Sequence, residues 1–202
     1  MIHETVIDRA INRLLAHFGP RVVLRPPASA ADLGTLEARA GSLPRDYGLY
    51  LMTCNGLRVS VAQEPGAFQL CGVHEALEAG RTPQTPAIPE GFIPLCNHVD
   101  GSTDWLVLSE DALQGAVLRW TPGMHGEELL ASSFGHYFDN WTTWLKEMFD
   151  RDGRRASTKS PLFDAAYCST TDPAITRLAR TRGVRDSIAE LELRAAAGED
   201  FE

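Results

Sequence analysis

A proline, an acidic first turn and an Asn-Gly stop frame the stretch from Leu43 to Leu57, LPRDYGLYLMTCNGL, and leave it few conformations. Pro44 suits the first helical position, where its missing N–H costs nothing. Asp46 falls in the first turn, where a negative charge meets the positive end of the helix. Tyr47, Tyr50, Leu51 and Cys54 recur at helical spacing and make one apolar face. Asn55-Gly56 ends the helix, because both residues tolerate the left-handed conformation a C-cap needs. Val59 to Ala62, partly β-branched, then reads as a strand. A short helix, a sharp turn and a strand are therefore predicted here.

The chain before this corner predicts two helices. Ile2, Val6, Ile7, Ala10, Ile11, Leu14, Leu15 and Phe18 share one helical face, ended by Gly19-Pro20. Ser29-x-x-Asp32 has the form of a capping box, with Leu33, Leu36 and Ala40 behind it; Val22 to Leu24 between the two reads as a short strand. After the corner, short apolar runs at Phe68–Cys71, Phe92–Cys96, Trp105–Leu108 and Ala116–Thr121 are separated by turn signals such as Glu64-Pro65-Gly66, Asp100-Gly101-Ser102 and Pro122-Gly123. That spacing predicts an antiparallel meander rather than a βαβ array. Val73–Ala79 reads as one or two helical turns, and residues 80–90, with three prolines, as a loop. Phe134, Tyr137, Phe138, Trp141, Trp144, Leu145, Met148 and Phe149 then mark one face of a strong helix, capped by Ser132 or Ser133. So many aromatics on one stripe read as the main core helix on the sheet. The fold class is α+β, with a domain over 1–150. Residues 151–202 are a polar linker (151–160) and a helical extension: Asp172-Pro173 opens one helix, Val184, Ile188, Leu191 and Ala195 mark another, and the final GEDFE frays.

Charge narrows the function classes. The net charge is −8, and residues 151–202 contribute nothing to it, with nine Lys/Arg against nine Asp/Glu; the first 150 residues hold ten against eighteen. An acidic domain argues against a nucleic-acid backbone as partner and is compatible with a basic protein. No apolar run approaches the roughly 18 residues a membrane span needs. The N-terminus carries Glu4 and Asp8 and lacks a signal layout, so the expectation is a cytosolic protein. Seventeen arginines stand against two lysines, the composition of a GC-rich bacterial gene. Cys54, Cys71, Cys96 and Cys168 form no C-x-x-C pair, so neither zinc nor a disulfide framework is expected, and the first three read as core thiols.

The motifs, in their order, resemble the SUKH superfamily, also known as the cell-wall-assembly regulator-like family. Its corner is Leu43-Pro44-x-Asp46-Tyr47-x-x-x-Leu51-x-x-x-Asn55-Gly56. The apolar strand Phe92-Ile93-Pro94-Leu95, the Asp100–Leu108 turn and strand, the Val117–Trp120 strand and the Ser133-Phe134-x-x-Tyr137 helix follow it. The match covers about residues 30 to 150. Two departures stand out: Leu57 follows Asn55-Gly56 where a second glycine is common, and the tail from 151 lies outside the pattern. The resemblance implies helices packed on an antiparallel sheet and a non-enzymatic binding protein. Most bacterial members are immunity proteins that neutralise a polymorphic toxin, often a nuclease; others are regulatory or adaptor modules, which is the second reading here.

Candidate chemistry is sparse. His98, Asp100 and Asp104 are the nearest to a metal cluster but lack a fourth ligand, and read as a turn whose aspartates bond their own backbone. His125, Glu127 and Glu128 sit beside a Gly-rich loop and read as solvated. No G-x-S-x-G, P-loop or dinucleotide fingerprint occurs, and neither cofactor nor metal is expected. The expected partner-binding residues are the acidic Asp100, Asp104, Glu110, Asp111, Glu127 and Glu128, as a decoy for phosphate facing a basic toxin site. Trp105 or Trp120 is the expected apolar anchor, with both in the core as the alternative.

Overall fold

The helix starts expected at Ser29 and at Ser132 or Ser133 carry side-chain caps, from Ser29 and Ser133. The computed structural model describes residues 4–62, 66–78, 91–108, 113–122, 127–156 and 163–179. Helix α1 (Val6–Phe18) begins with a capping box at Thr5 and Asp8, and α2 (Ala30–Ala40) with one at Ser29 and Asp32. Helix α3 (Arg45–Thr53) starts one residue later than expected, with Pro44 as its N-cap. Helix α4 is Val73–Glu78, and the aromatic helix α5 (Phe134–Met148) is capped by the Ser133 hydroxyl, which accepts from the His136 N–H. A short helix, α6 (Ala165–Ser169), and helical residues 174–179 complete the set.

The strands divide into two antiparallel sheets. β1 (Val22–Leu24), β2 (Leu57–Ser60) and β3 (Ala67–Leu70) pair in that order. β4 (Phe92–Asn97), β5 (Thr103–Val107), β6 (Val117–Trp120) and β7 (Glu128–Ala131) form a meander that holds three of the expected strands and one the sequence did not suggest, while the run at Phe68–Cys71, expected in the same meander, pairs as β3 in the other sheet. β7 was illegible because α5 and α6 both pack against it and Leu129, Leu130 and Ala131 are all buried, so its residues show no alternation. The loop at 80–90, Glu110, Asp111, His125 and the helix at Val184–Ala195 lie outside the described residues.

Two motif residues explain the corner. The Asp46 carboxylate accepts from the N–H of Tyr47, in its own helix, and from that of Gly135, at the start of α5. One charge thus sits on two helix N-termini. A Cβ at Gly135 would come within 3.0 Å of that carboxylate, which is why the residue after Phe134 is glycine. Asn55 does not adopt the left-handed conformation expected of it; no non-glycine residue among those described has positive φ, and Gly56 alone makes the turn with φ +102°. Asn55 instead accepts, through Oδ1, the Val73 N–H at 2.7 Å and so caps α4.

One core cluster runs through the helices and both sheets. Arg13 of α1 ties that helix to α5, donating to the Asp139 carbonyl and to the Thr142 and Thr143 hydroxyls. The expected linker is pinned too: Gly153, with φ +71°, lies against Val61, and its carbonyl accepts the Ala62 N–H at 2.8 Å. Beyond it, Phe163, Cys168 and Ile175 join the core.

Glycine substitutions separate these constraints. A Cβ at Gly72 would lie 2.2 Å from the Asn55 carbonyl oxygen, whereas one at Gly34, on the exposed side of α2, meets nothing. Gly72→Ala is expected to cost about 1–3 kcal/mol. Gly34→Ala is expected to add about 0.5–1 kcal/mol. Chemical denaturation of both variants checks this; equal effects would refute the Asn55–Gly72 contact.

Candidate partner-binding site

The run from Asn97 to Trp105 contains two aspartates whose local sequences look alike and whose roles differ. Asp100 is exposed, and its Oδ1 accepts from the Ser102 N–H (2.9 Å) and hydroxyl (2.7 Å), closing its own turn. Asp104, four residues on, is 0% exposed. Strand register places it opposite Arg119 of β6, whose Nε donates to Oδ1 at 2.7 Å and whose Nη2 donates to Oδ2 at 3.0 Å. Oδ2 also accepts from the Tyr137 hydroxyl of α5 (2.8 Å) and stands 2.9 Å from His98 Nε2. A carboxylate oxygen only accepts, so the proton of that ring sits on Nε2, and the 3.2 Å approach of Arg119 Nη2 to the same nitrogen is a contact rather than a bond.

The electrostatics follow from this arrangement. Burial pushes the Asp104 carboxyl up, but the His98 and Arg119 hydrogen bonds and charges outweigh it and hold the group below the ordinary carboxylate range. Burial likewise depresses the Arg119 guanidinium, and Asp104 more than restores it. Arg119 also donates through Nη1 to the Phe163 carbonyl, with its guanidinium 5.7 Å from the Phe163 ring centroid. Phe163 in turn meets Tyr137 and Trp144, at ring separations of 5.6 and 5.5 Å. A second tie holds the extension: Asp172, buried, accepts from the Ser132 N–H (2.7 Å) and hydroxyl (2.9 Å) just before α5.

These placements redraw the expected binding residues. Asp104 is corrected from an exposed decoy to a structural ion pair, because Arg119 and Tyr137 reach it from other elements. Trp105, 6% exposed, is corrected to the core, between Pro94 and Leu118 in the sheet register. Trp120 is half-buried. Asp100, Glu127 and Glu128 are exposed and stand at one end of the meander, where a Cβ on Gly101 would touch Pro122 at 3.4 Å. Glu128 is engaged there, accepting the Ala165 N–H at 2.8 Å. Val107 and Ala116, which flank the connection holding Glu110 and Asp111, are at the opposite end.

A groove the sequence did not foreshadow lies between the two sheets. β3 is the last strand of one sheet and β4 the first of the other. They meet where the Cys71 N–H donates to the Leu95 carbonyl at 2.8 Å. Beyond that point a groove of about 790 Å³ opens between them. Phe68, Trp144, Met148 and Phe149 make its floor, with the Phe68 ring edge-on to Trp144 at 5.5 Å. Arg58, Gln69 and Arg155 stand on the β3 side, and Asn97, His98, Val99 and Asp100 on the β4 side. Val99 is 84% exposed in its turn. Arg58 and Arg155 are exposed, and neither forms an ion pair among the described residues. The alternation of Leu57-Arg58-Val59 marks Arg58 as outward-facing in the sequence, but nothing local tells that a sheet ends one strand away.

Burial pushes the Cys54, Cys71 and Cys168 thiols up to about 12, where thiolate is scarce at neutral pH. Among the described residues no group of three His, Cys, Asp or Glu side chains could hold a metal ion, and no helix is long and apolar enough to cross a membrane. In comparison with known proteins, the sequence model of the SMI1 / KNR4 family (SUKH-1) matches residues 27–140, more than half of the chain. No curated protein matches it.

The Asp104 cluster makes a pH prediction. A carboxyl held below its unfolded value adds stability that is complete above the unfolded value, about 3.9, and is lost as pH falls through the folded one. Asp104→Asn is expected to cost about 3–5 kcal/mol at neutral pH, because it leaves Arg119 without its counter-charge. The gap to wild type should narrow as pH falls below about 4, as measured by urea denaturation at each pH; a gap independent of pH would refute the ion pair's role.

Proposed function

Because the chain belongs to the SMI1 / KNR4 family (SUKH-1), we propose that it is a non-catalytic binding protein of the immunity type, which neutralises a polymorphic toxin in the bacterial cytosol. The family match carries this reading. The open groove and the exposed acidic end at Asp100 and Glu127 support it, since both are surfaces for a partner rather than for a reaction. Where the toxin is a nuclease, its basic substrate site would be drawn to that acidic end. The alternative, an adaptor that uses the same sheet face or the helical tail, finds less support over residues 163–179, where Phe163, Cys168 and Ile175 are built into the core.

Co-expression tests the reading. With the C-terminal toxin domain encoded beside this gene, the protein is expected to rescue growth and to co-elute with the toxin on size exclusion. Growth arrest equal to empty vector, with no complex, would refute it. In such a complex, Asp100→Lys with Glu127→Lys is expected to slow association about tenfold at low salt and to flatten its salt dependence. Unchanged association in stopped-flow mixing would remove the acidic end from the interface.

A further inference from the structure

The groove between the sheets is the place where the fold leaves two strand edges facing a common space. An edge strand presents a row of outward N–H and C=O groups, a template for pairing with another chain. β3 and β4 are both edges, joined at Cys71–Leu95 and parted beyond it, and the space between them is floored by aromatic and sulfur-containing side chains of α5. Such a floor beside an edge suits alternate side chains of an added strand, one down and the next up.

Charge says what sort of strand. The chain has a net charge of −8, yet the β3 side of the groove carries Arg58 and Arg155, and Arg58 continues a cross-strand row with Val23 and Gln69 on the outer face. The β4 side carries the Asp100 carboxylate, already accepting from Ser102, and His98, turned to Asp104. The basic groups therefore line one wall only, on an otherwise acidic molecule.

We propose that this groove takes one extended segment of a partner protein. The segment pairs with the edge of β3, seats an apolar side chain on Phe68, Trp144 and Met148, and turns carboxylates to Arg58 and Arg155. This names the partner chemistry of the binding-protein reading and rests on it: the acidic end meets the body of the partner, and the groove meets one acidic strand of it.

Two probes keep a failure of the groove apart from a failure of the immunity reading. The first is a pair of synthetic peptides of equal length sharing a Val/Thr frame and a central Phe, one with Asp/Glu flanks and one with Lys/Arg flanks. Each is titrated into the full ¹⁵N-labelled chain and followed by NMR. The acidic peptide is expected to shift the Phe68, Gln69, Asn97 and Val99 amides and the Trp144 indole, and to bind about tenfold more tightly than the basic one. Arg58→Glu with Arg155→Glu should abolish that preference while the remaining spectrum stays that of the folded protein. Absent shifts, shifts elsewhere, or equal binding of the basic peptide would overturn the proposal. So would groove amides that respond in the free chain to Asp200→Lys with Phe201→Ala, which would identify the chain's own acidic tail as occupant. Self-association abolished by Arg58→Glu would identify a second copy instead, and would likewise overturn it. The second probe is the co-expressed toxin domain, against which the double Arg variant is expected to lose about tenfold in affinity. If wild type itself fails to rescue, the immunity reading falls, and the peptide arms still decide the groove.

Discussion

A single buried carboxylate organises the half of the molecule that carries the groove. Asp104 is fully enclosed, and a lone charge there would be untenable; its Oδ1 and Oδ2 are met by Arg119, Tyr137 and His98, which come from a neighbouring strand, the core helix and the preceding turn. Each partner that arrives lowers the local dielectric for the others, so the cluster forms as a unit or not at all. The guanidinium that neutralises Asp104 must itself be covered, and Phe163 does this with its ring and its carbonyl. The extension thus roofs the ion pair through Phe163.

The Asp46 carboxylate plays a complementary part at the same, N-terminal end of α5, reaching Gly135 two residues before Tyr137. It joins the N-termini of α3 and α5, and Asn55 caps α4 from the far end of the same corner. Asp46 and Asn55 thus spend their side chains on holding the corner together. They set the angle between helix and sheet, and a binding surface elsewhere can vary without disturbing them.

What could be read from the sequence is what local chemistry decides. Ser29 and Ser133 announce helix starts, the stripe from Phe134 to Phe149 announces the core helix, and Asp172-Pro173 announces a cap. What could not be read depends on residues far away in the chain. Asp100 and Asp104 share a turn-like context, and only Arg119, fifteen residues on, and Tyr137, thirty-three on, bury the second. β7 is too evenly buried to alternate, and the five residues of α6 are too few to show a period. The division of one expected meander into two sheets, which meet at the Cys71–Leu95 hydrogen bond, leaves no periodic trace.

The division also settles which edges stay open. Among the described elements α6 packs against β7, the last strand of the meander, so the chain's own extension lies at that side of the sheet. β4, at the near edge, faces β3 across the groove, and the turn from Asp150 to Arg155 closes the end of β2 and β3 beyond it. Edges left bare invite indiscriminate pairing, which proteins blunt with covers, bulges or charge. Here the edges that face the groove are guarded by a register shift between Pro94 and Cys96 and by Arg58 and Arg155. A bulge re-aims a strand and a cation repels another basic edge, so the same two features that prevent promiscuous pairing also select the strand that can enter.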